Sequence, residues 1–81
     1  MQQKNAIGKR LRELRNSATP RVTQAELAAR LQVMGSRIDR VMLSKIENGQ
    51  RPVTDWEVMA LSRALKVSVS DLFVDKDKPG L

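Results

Sequence analysis

Residues 39–49, DRVMLSKIENG, gather a cation, a hydroxyl, an amide and a small apolar group in one short stretch. At a helical turn of about 100° per residue, Leu43, Ile46 and Glu47 point one way. Val41, Ser44, Lys45 and Asn48 point the other. Asp39 is a residue type that caps a helix start, and Gly49 one that ends a helix in a left-handed turn. The spacing therefore predicts a helix with one buried side and one side free to bind.

Covalent chemistry finds little support. The chain has no cysteine and no histidine, so thiolate sites, disulfides and the commonest general base are absent. The carboxylates are scattered and no Gly-rich phosphate loop is present. Ser44 and Lys45 are adjacent but lie about 100° apart on a helix, so nothing in the spacing makes them meet. We expect no catalytic residue, no metal site and no cofactor.

The charge pattern suggests a polyanion instead. Residues 1–51 hold 11 Lys and Arg against 4 Asp and Glu, while residues 52–81 hold 4 against 5. The basic part contains the two-sided helix, and nucleic acid is the commonest partner of such a surface. Trp56 and Phe73 are the only aromatics. Single-strand binders stack bases on several rings, so duplex DNA is favoured over RNA or single strands. No apolar run reaches membrane-span length and no signal-peptide pattern is seen, so no membrane partner and a cytoplasmic location are expected.

The elements that would position these residues are all helical. Helix one is expected from Asn5 to Ala18, with the stripe Ile7, Leu11, Leu14 and Ala18, and with Gly8 as a mild cost. Pro20 breaks the chain. Helix two opens at Thr23 with the capping box Thr23-Gln24-Ala25-Glu26, buries Leu27 and Leu31, and stops near Met34, before Gly35. Ile38 tucks under the core ahead of the helix over 39–48. A fourth helix starts at Thr54 with the box partner Glu57 and the stripe Val58, Leu61, Ser62 and Leu65. A fifth starts at Ser68, with Asp71 as its box partner and Leu72 and Phe73 as core. Eighty-one residues make one small domain. It is expected over 1–74, with a flexible tail at 75–81.

Four pieces in this order, IGKRLRELR, TQAELAARL, LSKIENGQRPV and ALKVSVSDLF, resemble the phage repressor/Cro type of helix-turn-helix domain, the xenobiotic-response-element family of regulators. The resemblance spans roughly residues 6–74. It implies a compact all-α, five-helix, lambda-repressor-like fold with the third helix in the major groove. By position it implies Arg40, Val41, Ser44 and Lys45 at the bases, and Gln24, Asn48 and Arg51 at phosphates, with Arg37 a further phosphate candidate from the connector. It pairs Arg15 with Glu47. It also implies a homodimer formed near the last helices. Trp56, Met59, Phe73 and Val74 read as core or half-buried cover, part of which forms that interface. Two departures stand out: the link from Asn16 to Val22 is about two residues longer than the common pattern, and Gln32 to Ile38 is about five residues longer than the usual turn. Either helix two runs on or a loop projects.

The function expected is a sequence-specific duplex-DNA-binding transcriptional regulator, a repressor. The rival is a protein-binding helical module, such as an antitoxin or adaptor, for which DNA is secondary. A long amphipathic extension would have favoured that rival, and none is present.

Overall fold

The computed structural model describes residues 5–74. The expected tail over 75–81 lies outside them. Five helices follow in order: α1 Gly8–Ser17, α2 Gln24–Val33, α3 Arg40–Glu47, α4 Asp55–Leu65 and α5 Val69–Leu72. Helix α2 packs on α3 and α4, α1 packs on α3 and α5, and α4 packs on α5. No strand occurs among the described residues. No helix there is long and apolar enough to cross a membrane.

Each of the last four helices starts in the same way. The residue before α2, α3, α4 and α5 is Thr23, Asp39, Thr54 and Ser68, and each side chain accepts a hydrogen bond from the backbone N–H three residues on. Each is preceded by an apolar residue (Val22, Ile38, Val53 or Val67) that joins the core with the residue five further on: Leu27, Leu43, Val58 or Leu72. This hydrophobic staple sets the angle at which the chain enters the helix. The reciprocal box is complete at Thr54/Glu57 and Ser68/Asp71. At Thr23 it is only half formed. The Glu26 carboxylate accepts from the Thr23 hydroxyl at 3.1 Å rather than from its backbone N–H.

The ends are equally regular. After α2 the N–H of Gly35 donates to Gln32 and that of Ser36 to Leu31; after α3, Gly49 donates to Ile46 and Gln50 to Lys45. Both glycines have positive φ, 86° and 72°. These are Schellman closures, which need a left-handed residue at that point. The end of α4 closes likewise, but with Lys66 at φ 61°.

Helix α2 therefore does not run on. It stops at Val33, and the long link over 34–39 is pinned at both ends, by the Gly35 turn and by Ile38, which is buried. The core of Ile7, Leu11, Leu27, Leu31, Ile38, Leu43, Ile46, Leu61 and Leu72 is fully closed to solvent.

Of the apolar expectations, the core placement of Phe73 and the burial of Trp56 need correction. Phe73 is 51% exposed, not core, and Trp56, Met59 and Val74 are exposed as well. The reasons are rotational. Trp56 precedes the buried Val58 by two residues, about 200° of helix, and so faces away from it. Phe73 follows Leu72, the last residue of α5, and only Leu72 reaches the core.

Candidate nucleic-acid interface

Helix α3 is held from behind. Leu43, Ile46 and Glu47 are buried, whereas Arg40, Val41, Lys45 and Asn48 are exposed, with Val41 65% open. Ser44 is half-buried. Eight residues give a helix about 12 Å long, about the width of a B-DNA major groove.

Glu47 is the anchor. Arg15 grips it with two bonds, Nε to Oε2 at 2.8 Å and Nη2 to Oε1 at 2.9 Å. Arg15 also donates to the Val22 carbonyl at 3.1 Å, which ties the α1–α2 link to the same point. Gln24 donates its side-chain amide to Glu47 Oε1 at 3.1 Å, and Arg12 donates to that oxygen at 3.3 Å. One carboxylate thus joins α1, α2 and α3. Burial alone would push the Glu47 carboxyl up, but the hydrogen bonds from Arg15 and Gln24, with the Arg15 charge, hold it below the ordinary glutamate value.

A second clamp holds the start of α1 to the end of α3. Asn5 is buried; its Oδ1 accepts from the N–H groups of Ile7 and Gly8, and its Nδ2 donates to the Ile46 carbonyl at 2.7 Å and the Arg51 carbonyl at 3.1 Å. Beside it a Cβ on Gly8 would stand 2.2 Å from the Ile46 carbonyl oxygen. Glycine is thus what lets α1 approach the α3 backbone.

The residues expected at phosphates fall into two groups. Arg37 is exposed on the α2–α3 link. The other three have internal partners. Gln24 bonds Glu47, Asn48 Oδ1 accepts from Arg12, and Arg51 is bidentate to Glu57 at 3.1 and 2.7 Å. The hydrogen bond to Glu57 raises the Arg51 guanidinium above its ordinary value, and the same bond lowers the Glu57 carboxyl.

A wider sorting of cations follows. Arg10, Arg12, Arg15, Arg30 and Arg51 direct their guanidinium groups to protein acceptors. Among the described residues, the side chains of Arg21, Arg37, Arg40, Lys45, Arg63 and Lys66 make no hydrogen bond or ion pair. Three of these six, Arg37, Arg40 and Lys45, belong to α3 and the link before it.

Sequence reasoning missed Arg12 and read Asn5 only as the start of helix one. The signal for Arg12 was its spacing: three residues before Arg15, it shares that face of α1. The four residues grouped as an interface are also divided. Trp56 and Met59 line a groove with Met34 and Arg63, and neither Phe73 nor Val74 belongs to it. No group of three or more Asp or Glu side chains among the described residues is placed to hold a metal.

A family model described as a helix-turn-helix domain matches residues 6–72. Searches of curated proteins and of solved structures gave no match.

Proposed function

This chain belongs to the helix-turn-helix domain family, in the group of phage-repressor, Cro and xenobiotic-response-element types, and from that premise we propose that it is a sequence-specific regulator of transcription, a repressor, acting in the cytoplasm. The observation that carries the reading is α3: three contacts from behind on Glu47, and an open side bearing Arg40, Val41 and Lys45.

In this reading Arg40 grips guanine O6 and N7 with two bonds, Val41 packs on a thymine methyl, and Ser44 and Lys45 meet neighbouring base edges. Arg37, Gln24, Asn48 and Arg51 hold the backbone. Gln24 is the first residue of α2, where free N–H groups and the helix dipole favour a phosphate. Its bond to Glu47 leaves one amide hydrogen to donate. The chain acts as a homodimer, with reading helices about 34 Å apart. Exposed Val69, Phe73 and Val74 are the apolar surface for that contact.

The test is selection from a randomised duplex library at near-physiological salt. A two-fold-symmetric motif is expected. Arg40→Ala and Lys45→Ala should each relax base preference at one position by about 1–3 kcal/mol. Binding with no motif, or an equal loss on every sequence, rejects base reading.

A further inference from the structure

Opposite the buried face of α4 lies a surface that DNA reading does not use. A groove of about 290 Å³ runs between the α2–α3 link and α4, with Met34, Trp56, Met59 and Ala60 as apolar lining and Glu57 and Arg63 as its charged members. Trp56 is 75% exposed, although a ring of that size normally buries most of its area. No residue of α3 lines the groove, so its occupant need not touch the reading side.

We propose that this groove docks a second protein, through a short segment that inserts a large apolar side chain flanked by carboxylates. The charges specify that chemistry. Glu57 is already neutralised by two bonds from Arg51. Arg63 has no partner among the described residues. An entering segment therefore meets an aromatic and thioether wall with one unsatisfied cation beside it. The net charge of +6 attracts an acidic partner over the whole surface as well.

A second copy of this chain fits less well. Two-fold pairing presents the same patch twice, so a copy adds a second Arg63 and offers it no carboxylate but Glu57, which Arg51 already holds. Trp56 and Met59 thus serve a different partner from Phe73 and Val74.

Trp56 is the only tryptophan, so its emission reports on the groove directly. Random peptides of about twelve residues, lacking tryptophan, are displayed and selected against the full chain. Binding is then followed by Trp56 fluorescence. Enriched peptides should join a large apolar residue to nearby Asp or Glu and shift the emission to the blue. Arg63→Glu should weaken them by about tenfold or more. Arg63 is exposed and has no partner among the described residues, so this variant is expected to fold, and circular dichroism checks that it does. Enrichment of peptides without acidic residues, or indifference to Arg63→Glu, overturns the proposal. Self-association that shifts Trp56 emission and is abolished by Met59→Asp assigns the groove to a second copy. A shift on duplex DNA alone assigns it to nucleic acid, and either result overturns an acidic protein partner. None of the residues proposed at the DNA lines the groove, so a failure of peptide binding and a failure of motif selection are distinguishable.

Discussion

Glu47 joins three helices through one carboxylate. It accepts from Arg15, Gln24 and Arg12 and is itself 4% exposed. Its removal strands Arg15, which is 5% exposed. Glu47→Ala should therefore cost about 3–5 kcal/mol, the range for leaving a buried charge without its partner. Thermal denaturation checks this, and an unchanged melting temperature would refute a stabilising role for the pair. Acid should act through the same group. Glu47 and Glu57 are both lowered from the ordinary value of 4.5, so the unfolded chain takes up protons first as pH falls. Their contribution is present in full above about pH 4.5 and is lost as acid drops through the folded values. Urea midpoints should stay level from pH 7 to about 5 and fall below about 4.5. A midpoint that rises on acidification would contradict the sign.

Among the elements, α1 and α3 meet backbone to backbone. Gly8 meets the Ile46 carbonyl with no room for a methyl group. Gly8→Ala raises intrinsic helix propensity by about 1 kcal/mol, and by that measure alone would stabilise α1. The clash should win, because backbone carbonyl on the end of a pinned helix has little freedom to move. A net loss of about 1–3 kcal/mol is expected, measured by chemical denaturation. A gain would mean that the two helices slide apart freely. The Asn5 clamp beside Gly8 argues against such sliding, since its bonds to the Ile46 and Arg51 carbonyls fasten the same two backbones.

Over the whole molecule the decisive property is which cations remain free. Eleven Lys and Arg stand in residues 1–51. Charge count overstates the binding surface, because Arg10, Arg12, Arg15, Arg30 and Arg51 already bond protein acceptors. If Arg51 alone among these joins Arg21, Arg37, Arg40 and Lys45, unpartnered among the described residues, at phosphates or bases, affinity should fall with salt at a log–log slope of about −4 to −5 per chain or shallower. A much steeper slope in a salt titration would show that the other paired arginines exchange their protein partners for phosphate.

Most of the helical frame was legible in the chain because it is written locally. Thr23, Asp39, Thr54 and Ser68 cap their helices, Gly35 and Gly49 close two of them, and the stripes on α1 and α4 face the core. The split of α3 into a side with Leu43 and Ile46 and a side with Val41 and Lys45 follows from helix geometry alone. What the tertiary structure decided depends on partners distant in sequence. Gly8, which locally is only a weak helix residue, becomes essential because Ile46 lies against it. Gln24, Asn48 and Arg51 look alike as exposed polar residues, yet each has an internal acceptor or donor that only the packing supplies. Trp56 and Phe73 are apolar enough for any core; the rotation of α4 and the end of α5 leave both outside. Capping and periodicity act over three or four residues and can be read along the chain, whereas burial and pairing arise from helices meeting and cannot.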